Sequence, residues 1–212
     1  MNLHTTLFVS SLASFIAIMN PLANTPIFLS LTAAYDPRER KQAAVQSVLI
    51  AFAIVTLFAV MGSLLLRLFG ITLDAFRIAG GLLIAKVGYD LLHGGTSRAH
   101  APSAEARADA AESDFGVIVS PLAMPLLAGP GTIVTAMTYT VHASLTAHCI
   151  VIGAFAVVCA ITMICFVGSQ TLVRHLSPSF LNLTGRLMGL ILAVIGVQMV
   201  IAGIRAAAGT AG

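Results

Sequence analysis

The sequence predicts an all-α transmembrane protein: six helices in two inverted three-helix repeats, with helices 1 and 4 broken at Pro/Gly motifs. Three observations predict it. Charge is too sparse to cover a surface in water, the apolar residues fall into six runs of membrane length, and glycine and proline recur at matching places in the two halves of the chain.

Of the 212 residues, 58% are hydrophobic and only 9% charged, with a mean hydropathy of +0.98. A soluble domain carries roughly a quarter charged residues. The net charge of +3 and pI near 9.0 would suit a nucleic-acid partner. The basic residues are, however, scattered between apolar runs and form no stripe that could track a phosphate backbone. No nucleic acid is expected, and the lipid bilayer is the expected surrounding. Cys149, Cys159 and Cys165 share one apolar stretch without a CxxC or a His or acid at ligand spacing. They read as packing residues, and neither metal nor cofactor is expected. The start, Met1-Asn2-Leu3-His4, has no Lys or Arg before the first apolar run, so no cleaved signal peptide is expected.

The six apolar runs are about 5–34, 43–66, 71–92, 116–141, 147–173 and 183–204. In lipid each must satisfy its own backbone groups, which a helix does. Residues 93–114 form the one polar stretch, with four acids and two arginines. They read as a cytoplasmic linker between a first repeat, 1–92, and a second, 115–212. Arg38, Arg40 and Lys41 in the first loop, Arg98 and Arg107 in the third, and Arg174 and His175 in the fifth outweigh Arg67, Arg77 and Arg205 opposite. Basic loops stay inside, so both termini are expected in the periplasm.

The halves resemble each other. Asn20-Pro21-Leu22-Ala23 answers Ser120-Pro121-Leu122-Ala123. Gly81, Gly88 and Gly95 recur every seven residues, as do Gly189, Gly196 and Gly203, with Ala85 answering Ala193. Such rows keep to one helix face and let a second backbone approach. They would serve packing within the chain or the seam of a homo-oligomer equally well. Three spans per half invert the second half, a recurrent plan among secondary transporters.

In the first run, Pro21 and Pro26 lie near mid-bilayer, roughly 22 Å along a helix rising 1.5 Å per residue. Pro21 cannot donate to the Ala17 carbonyl, nor Pro26 to that of Leu22. The fourth run carries Pro121, Pro125 and then Gly129-Pro130-Gly131. Backbone freed at that depth must line a cavity or be covered by protein. Thr25-Pro26 and Gly129-Pro130 each read as a cap followed by Pro at the first helical position. The amides of Ile27, Gly131 and Thr132 would then face a carboxylate at the positive helix ends. Unpaired carbonyls, with Asn20 and Asn24, would receive an ammonium group. The candidate substrate-binding residues are therefore Asn20, Pro21, Asn24, Thr25 and Pro26, with Ser120, Pro121, Met124, Pro125, Gly129, Pro130, Gly131 and Thr132.

Other polar residues read as structural. Lys86 and Asp90 are four apart and within pairing reach, but snorkelling to the headgroups is the simpler reading. Asp74 and Arg77 fall at the opposite edge of the same span, and Arg186 and Gln198 read as helix-bonding residues. His142 and His148 flank a short loop without partners. No nucleophile–base constellation or phosphate-binding Gly loop is present, so no enzyme is expected and an ATP-driven pump is excluded for this chain alone.

The segments Asn20-Pro21-Leu22-Ala23-Asn24-Thr25-Pro26, Phe76-Arg77-Ile78-Ala79-Gly80-Gly81, Pro121-Leu122-Ala123-Met124-Pro125, Ala128-Gly129-Pro130-Gly131-Thr132-Ile133, Arg186-Leu187-Met188-Gly189 and Gly196-Val197-Gln198 resemble the MarC family, also called the small neutral amino acid transporter family. The resemblance covers nearly the whole chain apart from the linker. It implies a six-span protein of the bacterial inner membrane related to amino-acid exporters, some members being carriers of glycine, alanine and similar amino acids with proton coupling. Lys86 departs from a helix that is generally apolar there in the family. The expected function is secondary transport of a small neutral amino acid bound between broken helices 1 and 4. An exporter of drugs or other amphiphiles would need an aromatic-rich cavity, yet the chain has no Trp and three Tyr. A non-transporting membrane scaffold would tolerate changes that restore the broken helices.

Overall fold

A computed structural model describes residues 2–33, 35–93, 127–141, 143–175 and 177–209. Among these the chain is helical throughout, without a strand: α1 Leu3–Met19, α2 Pro21–Leu31, α3 Pro37–Leu68, α4 Leu73–Leu92, α5 Pro130–Thr140, α6 Leu145–Val167, α7 Ser169–His175 and α8 Pro178–Gly209. Four stretches are long and apolar enough to cross a membrane: α1 with α2, α3, α6 and α8. α4 has the length, 20 residues, but carries Asp74, Arg77, Lys86 and Asp90. The expected fourth span lies outside the described residues up to Leu127, as do all of the linker beyond His93 and Gly95 of the first glycine row.

Local signals set the helix starts. Asp36 caps α3 by accepting from the Arg38 and Glu39 amides at 2.7 and 2.8 Å, while Glu39 accepts from the Asp36 amide at 2.9 Å. Pro37 occupies the first helical position, where its missing N–H costs nothing. This reciprocal cap starts α3 well before the apolar run, so Arg38, Arg40 and Lys41 belong to the helix rather than to a loop. Arg40 departs furthest from the expected loop charge, since it is buried. Its guanidinium donates to the Thr32 carbonyl at 3.0 Å and the Tyr35 carbonyl at 3.2 Å. These carbonyls follow the end of α2, where helix geometry leaves acceptors unpaired and the dipole is negative.

The core is built from small residues and aromatic rings. α3 turns Ala43, Ala44, Val48, Ala51, Val55 and Ala59 inward at helical spacing. α6 supplies Phe155, 4.9 Å from Phe15 of α1 and 5.9 Å from Phe52 of α3, and Phe166, stacked at 4.3 Å on Phe28 of α2. These contacts show that α2 continues along α6 in the direction α1 began. Phe15 meets Phe155, Met19 meets Thr162, and Phe28 meets Phe166.

The two glycine rows meet each other. A methyl group on Gly81 would lie 2.6 Å from the Gly196 carbonyl oxygen, and one on Gly88 the same distance from that of Gly189. Ala85 and Ala193 fill the intervening positions, against Gly196 and Gly88. The pairing runs antiparallel. It is also reciprocal: exchanging Gly81 for its counterpart Gly189, and Gly196 for Gly88, turns one contact into the other. The rows thus pack α4 on α8 within one chain, which decides between the two uses left open by their spacing. Backbones this close leave no room for a side chain, so overpacking here costs about 1–3 kcal/mol or more. We expect Gly88→Leu to lower thermal stability in detergent sharply. Gly153→Ala, in α6 with nothing within 4 Å of the added methyl, should be neutral or gain up to about 1 kcal/mol.

Candidate functional site

The first span is broken at a single residue. Asn20 has φ 38° and ψ 67°, the left-handed region, and is the one non-glycine residue with positive φ among those described. Asparagine tolerates this conformation because its short polar side chain can bond locally. Asn20 closes α1 through its amide, which donates to the Ile16 carbonyl at 2.8 Å. It opens α2 through its Oδ1, which accepts from the Ala23 amide at 3.4 Å, and through its carbonyl, which accepts from the Asn24 amide at 3.1 Å. Pro21 follows at the first helical position. One residue therefore ends one helix and begins the next.

The break lies one turn earlier than the cap expected at Thr25-Pro26. Thr25 is inside α2, fully buried, with its hydroxyl donating to the Pro21 carbonyl at 2.7 Å. Pro26 is accommodated in the same short helix, and Ile27 sits within it, so its amide is not at a helix start. The physical reason is that Asn20 supplies both the turn and the cap, whereas Thr25 bonds backward as a helical threonine does. The amide left at the start of α2 is that of Leu22.

Of the two asparagines, Asn20 differs in role from the expectation. Asn24 Nδ2 donates to the Met19 carbonyl at 2.7 Å, covering an acceptor that the break exposes. Asn20 Oδ1 is committed to Ala23, so its orientation is fixed and its Nδ2 is the free end. That Nδ2 is buried and has no hydrogen-bond partner among the described residues. Asn20 thus offers a donor, suited to a carboxylate, rather than a seat for an ammonium group. Acceptors remain at the carbonyls of Ala17 and Leu22, whose helical donors would have been Pro21 and Pro26.

A second helix start matches that of α2 in form. Gly129, extended at φ −63° and ψ 166°, precedes α5, and Pro130 again takes the first position. The Gly129 carbonyl accepts from the Thr132 amide at 3.0 Å and from the Ile133 amide at 3.2 Å, leaving the Gly131 amide pointing ahead of the helix. α2 and α5 each have 11 residues. Asn20-Pro21 is therefore matched, among the described residues, by Gly129-Pro130. Ser120, Pro121, Met124 and Pro125 lie outside the described residues.

The start of α5 lies beside the break between α1 and α2. The Gly131 Cα faces Ile18 of α1 and Ile84 of α4, either of whose side chains would be 3.6 Å from an added methyl. Farther along, Ser14 and Tyr139 share a hydrogen bond of 3.1 Å. α5 therefore runs back alongside α1, while α2 runs on. The half-helices leave one level in opposite directions, each with its positive end toward that level. Around it Asn20, Asn24, Thr25 and Thr132 are buried. So is Thr135, whose hydroxyl has no partner among the described residues. Sequence reasoning missed Thr135, although its place one turn after Thr132 on the same face was legible. None of these residues is ionisable, so the level is polar without fixed charge. A crevice nearby, lined by Phe15, Val55, Thr56, Ala59, Ala136 and Phe155 among others, is apolar and too narrow for water.

Comparison with known proteins identifies the family. The model of the MarC family, described as integral membrane proteins, matches residues 5–208. The chain belongs to the MarC family. Its relatives include the UPF0056 membrane protein YvbG of Bacillus subtilis, 37% identical over 91% of each chain. A UPF0056 membrane protein of Methanocaldococcus jannaschii is 36% identical over 94% of this chain and 97% of its own. One of Aquifex aeolicus is 34% identical over 94% and 92%. No solved structure matches. As a MarC protein the chain is an integral, multi-pass membrane protein, and among the described residues α1 with α2, α3, α6 and α8 are long and apolar enough to cross the bilayer.

The cap makes a testable ordering. Asn20→Ala loses the bond to Ala23 and leaves a Cβ in the left-handed region without the local bond that offsets its strain, costing about 1–2 kcal/mol. Asn20→Gly loses the bond but not the conformation and should cost only a few tenths. Unfolding in detergent should find wild type the most stable, Asn20→Gly close behind it and Asn20→Ala the least stable.

Proposed function

We propose that this MarC protein is a secondary transporter of small neutral amino acids, of the glycine and alanine class, and not an enzyme. The observation that carries the proposal is the pair of half-helix starts meeting at one buried, uncharged level. A zwitterion needs donors for its carboxylate and acceptors for its ammonium group. The Leu22 and Gly131 amides, with Asn20 Nδ2, supply the donors. The Ala17 and Leu22 carbonyls, with Asn24 Oδ1, supply the acceptors. A substrate without net charge enters such a site with no compensating ion of the protein's own, which lipid depth makes costly. Ile18 and Ile84 flank Gly131 with room for about a methyl group there, which suits a small side chain.

The architecture we infer is six spans in two inverted three-helix repeats, with α1–α2 and the span ending in α5 as the broken members. The equal lengths of α2 and α5 and the reciprocal α4–α8 contacts support it. Two halves with exchangeable conformations would open the shared site to either side in turn. The distribution of Lys and Arg supports placement in a bacterial inner membrane with both termini in the periplasm. A proton is the coupling ion that the family resemblance suggests.

Purified protein in liposomes should take up radiolabelled alanine or glycine, and exchange it for unlabelled substrate, above protein-free vesicles. An imposed pH gradient should raise accumulation. Absence of counterflow for every small amino acid tried would remove the substrate assignment.

A further inference from the structure

The outward face of α4 carries a charge that no described residue of the chain pairs. Gly81 and Gly88 face α8, and Gly80, Ile84 and Leu91 are buried in the core, so Leu82, Leu83, Lys86 and Tyr89 are left exposed. At 1.5 Å per residue the 20 residues of α4 span about 30 Å, the thickness of the hydrocarbon. Lys86 is then roughly 9 Å inside the nearer end, Leu92.

Side chains on a helix lean toward its N-terminus. For Lys86 that direction leads deeper into the bilayer, away from the nearer headgroups. Arg186 shows the contrast. It lies in the early turns of α8, so the same lean carries its guanidinium toward the near surface. Snorkelling therefore suits Arg186 and works against Lys86. Asp90, one turn on and half-buried, leans toward Lys86 but forms no ion pair with it. Among the described residues the ion pair within 4 Å is that of Arg77 with Asp74, at 3.8 Å. A base preceding an acid by four residues is also the weaker order for pairing on one helix.

Asp90 of a second copy inserted alike lies one turn, about 6 Å, from Lys86 in depth, within reach of a lysine side chain across a parallel helix pair. Two copies inserted alike place their α4 helices parallel, and a two-fold axis along the membrane normal brings each outward face onto its twin. We propose that the protein forms a homodimer through this face of α4, with Lys86 of each copy paired to Asp90 of the other. The leucines pack beside the axis and the two ion pairs are withdrawn from lipid. This assembly is independent of what the protein transports.

The test is the dimer fraction of labelled full-length protein in lipid vesicles, counted by single-molecule photobleaching as the protein is diluted in lipid. Wild type should dimerise. Lys86→Asp should weaken association at least tenfold, and Asp90→Asn, a mild change near the helix end, severalfold. The double exchange Lys86→Asp with Asp90→Lys should restore association to within about twofold. A monomeric wild type at every dilution, single variants that associate as wild type does, or a folded double exchange that stays monomeric would each overturn the proposal.

Discussion

Lipid offers a peptide group nothing to bond to, and in this protein that constraint falls hardest on Asn20. A helix that stops within the membrane leaves carbonyls behind it and amides ahead of it. Asn20 meets both demands with one residue, giving its amide to α1 and its side-chain oxygen to α2. Asn24 reaches back to cover the Met19 carbonyl. The repair stops short of completion, since Asn20 Nδ2 is buried and unpartnered among the described residues. A buried donor without an acceptor costs about 1–3 kcal/mol. Such a cost is understandable where a ligand comes and goes.

The surrounding structure keeps that interruption in place. α6 runs past both α1 and α2, and its Phe155 and Phe166 hold a ring from each side of the break. Arg40 ties the far end of α2 to the start of α3 through the Thr32 and Tyr35 carbonyls. α4 and α8 cross on bare glycine, and α4 also presents Gly80 to Val134 of α5. The second half-helix is thereby pressed against the first break. Small residues supply the closeness, and proline supplies the breaks.

Much of this was legible in the sequence because it depends on residues that restrict the backbone. Proline removes a donor wherever it stands, so the interruption of the first span followed from Pro21 and the helix start at Pro130 from Gly129-Pro130. The glycine rows announced a close crossing, though not that the two rows were each other's partners. The misplaced features depend on side-chain choice. Thr25-Pro26 has the residues of a cap, but a left-handed Asn20 upstream had already started the helix, and nothing local distinguishes the two. Asn20 read as an acceptor until Ala23 fixed its orientation, while Asn24, turned by Met19, keeps its oxygen as the free end. Arg40 looked like an orientation charge because its acceptors are backbone carbonyls, which every residue has. Thr135 was hidden among threonines that bond their own helix.

The central claim is that backbone at the two breaks is open to a ligand rather than sealed into continuous helix. Hydrogen–deuterium exchange on the full-length protein in lipid nanodiscs, read over peptides spanning residues 18–25 and 128–135, addresses it directly. The account predicts exchange there well above that of α6, slowed on addition of glycine or alanine. Protection equal to that of α6, unchanged by either amino acid, would contradict it.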